Sequence, residues 1–149
     1  MMKNVIVFSI VCAGLCLTGY GATNYVDCAR PDDSGGGTSW ATAKRTIQAA
    51  VNAVSAGDTV LVAPGIYSEG RTVTPGGYLS NRVVVTKNIL LQSRDGAAAT
   101  IITGAKDYSV NPNGIGTNAV RCIYMTTGTL RGFTLTGGAT SPDNAQSIN

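Results

Sequence analysis

Histidine is absent from the 149 residues of this chain. A Ser-His-Asp triad, a Cys-His pair and an HExxH zinc site are therefore all excluded. Charged residues make up only 13% of the chain, too few for a charge-rich disordered protein, and a net charge of +3 is too small to favour nucleic acid as a partner. The length predicts one domain, and 19 glycines are about twice the usual share.

The N-terminal segment, residues 1–22, has the features of a signal peptide. Lys3 gives a positive start, an apolar run follows from Val5 to Leu17, and small residues around Gly21 suit cleavage. The apolar run is shorter than the roughly 20 residues that a membrane span needs. A membrane anchor and a lipoprotein cut before Cys16 remain as alternatives. We expect an exported protein, secreted or in the cell envelope, without membrane attachment after cleavage.

Two cysteines, Cys28 and Cys122, remain in the mature chain, whereas Cys12 and Cys16 leave with the signal peptide. An even pair in an oxidising compartment permits a structural disulfide between Cys28 and Cys122. Two buried small hydrophobic residues are the alternative. The sequence leaves both open.

One helix is predicted, at about residues 43–55. Apolar residues follow an i, i+3, i+4, i+7 pattern from Ile47 to Val54 and form one stripe. Thr42 or Thr46 can serve as the N-cap, and Gly57 stands where a C′ glycine belongs. The chain before it is a short strand and a glycine-rich loop.

After Gly57 the chain is a series of short β-rich runs, none longer than eight residues and not joined by two-residue hairpin turns. This leaves an antiparallel sandwich or a parallel coil. Similar runs recur at spacings of about 30 and about 44 residues, which favours a solenoid with loops inserted at some corners. The recurring runs are Thr59–Val62, Ile89–Gln92 and Phe133–Thr136.

Three segments resemble a known family. The helix segment Thr46–Val54 and the segment Gly57–Tyr67 look like the opening of right-handed parallel β-helix proteins of the pectate-lyase-like superfamily. Gly132–Gly138 is similar to their rung motif. The resemblance implies an all-β fold over residues 23–149: a right-handed parallel β-helix (solenoid) of about three to four rungs with an N-terminal capping α-helix.

The resemblance does not specify an activity, because the superfamily holds polysaccharide lyases, glycoside hydrolases, phage tailspikes and non-catalytic surface proteins. Members usually run for many more rungs, and their catalytic residues typically lie on later ones. We therefore expect a C-terminally truncated, N-terminal portion of such a coil. Its last run, Thr129–Thr136, is expected to leave an open edge through which the chain self-associates.

The candidate ligand-binding residues lie on predicted loops. Tyr78 and Tyr108 can stack on sugar rings, whereas Trp40 is expected to pack under the helix. Lys106 and Asp107 are a basic and acidic pair, which the resemblance to β-helix lyases makes worth considering. No catalytic residue and no cofactor is predicted. No metal site is predicted either, since Asp32 and Asp33 supply too few oxygens for calcium.

Two functions follow as expectations. The first is an exported, non-catalytic β-helix segment that binds, or is presented to, extracellular polysaccharide or a cell-surface partner. The second is the N-terminal fragment of a polysaccharide lyase or glycoside hydrolase whose catalytic rungs lie beyond residue 149. The missing acid–base set favours the first.

Overall fold

The computed structural model describes residues 21–141; the predicted signal peptide lies outside this part except for Gly21 and Ala22. Ten strands and one α-helix are present here, with a short 3-10 turn at Trp40–Thr42. The elements are β1 (Thr23–Val26), α1 (Ile47–Ala53), β2 (Thr59–Val62), β3 (Gly65–Tyr67), β4 (Thr72–Val73), β5 (Ser80–Val85), β6 (Leu90–Ser93), β7 (Thr100–Thr103), β8 (Val120–Met125), β9 (Thr129–Arg131) and β10 (Thr134–Thr136).

The strands form three sheets that the chain visits in rotation. The first sheet has the order β1-β2-β6-β9, the second β3-β7-β10, and the third β4-β5-β8. All pairs are parallel except β4 with β5. The strands β2, β3 and β5 thus make one turn, β6, β7 and β8 the next, and β9 and β10 begin a third. This confirms the predicted all-β solenoid over the antiparallel sandwich.

The third turn differs from the prediction in its register. The run Thr129–Thr136 divides at Gly132, whose φ of 77° turns the chain between β9 and β10. Phe133–Thr136 was predicted to be the counterpart of β2 and β6. This prediction is wrong, because β10 pairs with β7 in the second sheet. The counterpart of β6 is β9.

The core consists of side chains stacked in columns between the sheets. Val60 and Leu91 stack in the first sheet and both are fully buried. Tyr67, Ile102 and Leu135 stack in the second sheet, with exposures of 5%, 0% and 45%. Leu135 is exposed because, within residues 21–141, no further strand lies above it. We call this the upper end of the coil and the end at β1 and α1 the lower end.

The helix is shorter than predicted. It begins after Thr46, whose Oγ1 accepts the Ala49 N–H at 3.3 Å, and Thr42 belongs to the 3-10 turn instead. Val54 ends it in an extended conformation. Gly57 is therefore not the helix C′ residue; with a φ of 92° it lies in the following turn, just before β2.

The helix closes the lower end of the coil, as the capping prediction expects. Ile47, Ala50 and Val51 are buried, and α1 contacts β1, β2 and β5. The Gln48 side chain bonds the lower edge of β5: its Oε1 accepts the Val84 N–H at 2.7 Å, and its Nε2 donates to the Val84 carbonyl at 3.3 Å. None of the helices within residues 21–141 has the length and apolar character needed to span a membrane.

Candidate functional site

Two long insertions leave the coil at the corner between the second and third sheets. Residues 68–79 connect β3 to β5, and residues 104–119 connect β7 to β8 one turn higher. Because they leave the same corner in successive turns, they are neighbours, and the Arg71 Nη1 donates to the Asn118 Oδ1 at 3.5 Å between them. We call these two segments the corner loops.

All four predicted ligand-binding residues lie on the corner loops. Tyr78, next to the β4–β5 turn, is 47% exposed, and Tyr108 on the upper loop is 61% exposed. Lys106 is also exposed. The loop placement of these residues is thus confirmed, whereas their role in binding stays a prediction.

Asp107 holds the upper loop together. Its Oδ1 accepts the Ser109 N–H at 2.9 Å and its Oδ2 accepts the Asn118 N–H at 2.7 Å, so the carboxylate joins the two ends of the loop. The bonds from Ser109, followed by that from Asn118, lower the pKa of Asp107. Lys106 and Asp107 do not form an ion pair in the described part of the chain, where the ion pairs are Arg45–Glu69 and Arg94–Asp95. Asp107 therefore acts as a hydrogen-bond acceptor for the loop backbone.

Three arginines that the sequence did not single out lie in the lower corner loop or in the strands that follow the two loops: Arg71, Arg82 and Arg121. The register places Arg121 beside Asn81, a contact that only the pairing of β5 with β8 reveals. Each guanidinium donates to neutral groups and none to a carboxylate among residues 21–141. These acceptors are Ser80 and Asn118 for Arg71, the Thr103 and Gly70 carbonyls for Arg82, and Asn81 and Thr74 for Arg121.

An open groove of about 420 Å³ runs beside the upper corner loop. Lys106 and Arg121 give its wall a positive charge, and Ile115 and Cys122 contribute apolar surface. The groove thus combines two cations with the loop that carries Tyr108.

Trp40 and Asp33, two further residues considered from the sequence, make contacts that hold the fold together. Trp40 was expected to pack under the helix, and this prediction is wrong. Its ring lies edge-on against Tyr25, with the centroids 4.8 Å apart, and the Arg94 guanidinium lies over it at 5.0 Å. Tyr25 alternates with the buried Val26 along β1, so this contact lies on the outer face of the first sheet. Asp33 accepts the Thr46 N–H and hydroxyl, both at 2.8 Å, and so connects its loop to the start of α1.

The two cysteines are free and half-buried against the core. Cys28 follows β1 below the first turn, and Cys122 lies in β8 of the second turn. Successive turns of a parallel coil are about 4.8 Å apart, so the two residues differ by about 10 Å along the axis. A disulfide needs Cα atoms within roughly 4.4–6.8 Å. The structure therefore favours the alternative of two small hydrophobic residues.

No protein-family model, no curated protein and no solved structure matches the chain. The parallel solenoid is accordingly established by the strand pairing itself.

Proposed function

We propose that this protein is an exported, non-catalytic β-helix segment of the pectate-lyase-like superfamily. In this proposal the corner loops bind an extracellular polysaccharide or a polysaccharide-bearing component of a cell surface. The parallel stacking of the sheets and the N-terminal capping helix support the superfamily assignment. Right-handed winding is part of the proposal.

The observation that carries the proposal is the exposure of two tyrosine rings on neighbouring loops of a rigid coil. Aromatic faces suit the C–H surfaces of pyranose rings, and loops held on a rigid scaffold are where recognition usually occurs. Tyr78 and Tyr108 are 47% and 61% exposed. The hydrogen bond between Arg71 and Asn118 joins the two loops that carry these rings.

The carboxylates support binding over catalysis. General acid–base cleavage of a glycosidic bond needs two carboxyl groups that face one substrate. Asp107 is engaged by Ser109 and Asn118, and Glu69 is paired with Arg45 at 2.6 Å. Asp58 accepts the Ala22 and Ser55 N–H groups. These carboxylates hold backbone or a guanidinium in place instead of facing a shared groove.

The test is affinity electrophoresis of the protein in gels that contain hydroxyethyl cellulose, xylan or polygalacturonate. We expect retardation in at least one gel, and about a three- to tenfold weaker interaction for the Tyr78→Ala and Tyr108→Ala variants, since a stacked ring contributes roughly 0.5–1.5 kcal/mol. Tyr78→Phe and Tyr108→Phe are the matched controls, because they keep the ring and should bind nearly as well as the wild type.

Equal migration of the wild type and both alanine variants in every gel would overturn the proposed site. Incubation with polygalacturonate separates the alternative function. Release of unsaturated or reducing ends by the protein would show a lyase or hydrolase, and would contradict the non-catalytic proposal.

A further inference from the structure

A second cavity, of about 110 Å³, lies at the lower end of the coil, where the start of α1 meets β3 and β5. Its polar wall is formed by Cys28, Arg45, Glu69 and Arg82. The Tyr78 and Tyr108 side chains take no part in it. It is therefore a site separate from the exposed tyrosines of the corner loops.

Arg82 is the unusual wall residue, because it is a buried cation without an anionic partner in the described part of the chain. It is 9% exposed, and its guanidinium donates to the Thr103 carbonyl at 2.9 Å and to the Gly70 carbonyl. The one nearby carboxylate of the wall, Glu69, is paired with Arg45. A buried charge that meets only neutral acceptors is costly, so an anion in the cavity would be stabilised.

The net charge of the cavity wall favours a ligand that carries a single negative charge. Arg45 and Arg82 are two cations, and Glu69 is one anion, so the charged residues of the wall sum to one excess positive charge. The carbonyl bonds hold the Arg82 guanidinium in a fixed position, which lowers the entropic cost of binding an anion there.

The rest of the wall favours a short hydrocarbon group. Ile47 and Val83 are 2% and 1% exposed and form apolar wall surface, and Tyr67 adds its ring. A volume of 110 Å³ is several times the roughly 10–15 Å³ that one water needs by this measure. The cavity therefore has room for a molecule of about six non-hydrogen atoms.

We propose that this cavity binds a small organic monocarboxylate, with the carboxylate on the Arg82 guanidinium and the hydrocarbon part against Ile47 and Val83. Glu69 and Gly70 belong to the first residues of the lower corner loop, but nothing in this proposal depends on Tyr78, Tyr108 or polysaccharide binding.

The test is a titration of the protein with sodium butyrate, followed by the amide NMR shifts of Cys28, Ile47 and Val83. For six non-hydrogen atoms we expect a Kd between about 10 μM and 10 mM. Butyramide has the same size without the charge, and it should bind at least about tenfold more weakly. Equal binding of butyramide and butyrate, or no saturable shift at these residues, would overturn the proposal.

Two variants test the charge argument in opposite directions. Glu69→Gln removes the negative charge at an exposed wall position and should tighten butyrate binding about three- to tenfold. The matched control is Asp95→Asn, which removes the carboxylate of the other ion pair outside the cavity wall and should leave Kd within about twofold. Arg82→Gln should abolish binding.

Unchanged butyrate affinity in a folded Arg82→Gln variant would contradict the proposal. Should that variant fail to fold, the Glu69→Gln result decides, because weaker or unchanged binding there is incompatible with an anion site.

Discussion

In the loops of this protein, single aspartate carboxylates accept hydrogen bonds from backbone N–H groups that have no carbonyl partner in a strand or helix. Asp33, Asp58 and Asp107 each accept two hydrogen bonds, mostly from backbone N–H groups. Irregular segments have few ladder bonds, so their N–H groups need such acceptors. Within residues 21–141, Asp107 accordingly bonds backbone N–H groups and forms no ion pair with the adjacent Lys106.

The stability of the upper corner loop should depend on the ionisation of Asp107. Its pKa is lowered below 3.8 because Ser109 and Asn118 bond its charged form. The stabilisation is therefore complete above the ordinary aspartate pKa and is lost as the pH falls through the lowered value. We expect the Asn118 amide NMR signal to titrate with a midpoint below 3.8.

Asp107→Asn is the control for this titration, and it should remove the pH dependence of the Asn118 signal. A midpoint at or above the ordinary aspartate value would show that these hydrogen bonds do not stabilise the carboxylate.

At the scale of elements, the lower edge of the third sheet is closed by two different devices. The short strand β4 pairs antiparallel with the first part of β5, at Ser80 and Asn81. Further along, the Gln48 side chain of α1 bonds both backbone groups of Val84. An open strand edge invites pairing with other chains, and here a hairpin and a helix side chain occupy it.

Replacement of Gln48 by Leu should destabilise the protein by about 1–3 kcal/mol, because the Val84 N–H and carbonyl would lose their partners in a buried position. Urea unfolding measures this free energy. Asn52→Ala is the matched control: it removes only the Gln48–Asn52 bond of 2.8 Å on the exposed face of α1, and should cost less than about 0.5 kcal/mol. Equal losses for the two variants would contradict edge closure by Gln48.

At the scale of the whole molecule, the two ends of the coil are unlike. At the lower end, α1 packs against β1, β2 and β5, and β4 pairs with β5. At the upper end of the described residues, β9 and β10 have no strand above them, and Leu135 ends an interior column at 45% exposure. In the segment 126–138 that forms this edge, Arg131 is the only charged residue. Such an edge lacks the charges that usually prevent strand pairing.

We propose that the 149-residue chain self-associates through this upper end. In this proposal the upper edge pairs with the same edge of a second copy, which gives a closed two-fold dimer and not a filament. Light scattering after size-exclusion chromatography should give twice the mass of the chain. Leu135→Lys should convert the dimer to a monomer, whereas Val110→Lys, at a 62% exposed loop position, should not. A monomeric wild type would overturn the proposal, and a series of larger species would contradict the two-fold arrangement.

The sequence by itself determined the all-β class, the helix and the longer strands, but not the short strands β3 and β4. The apolar stripe from Ile47 to Val54 specifies a helix because its period is local, and the short β-rich runs specify strands for the same reason. The absence of two-residue hairpins left a sandwich or a parallel coil, and the recurrence of similar runs favoured the coil. The loop positions of Tyr78 and Tyr108 were also predictable, since turn residues surround them.

Only the tertiary structure decided which strands are neighbours and which polar groups meet. The insertions at the corner between the second and third sheets differ in length, so distance along the chain does not tell which sheet a run joins; β10 was misassigned for this reason. The contact of Arg121 with Asn81 and the burial of Arg82 in the lower cavity depend on that register. Such contacts join residues many positions apart, and no local pattern encodes them.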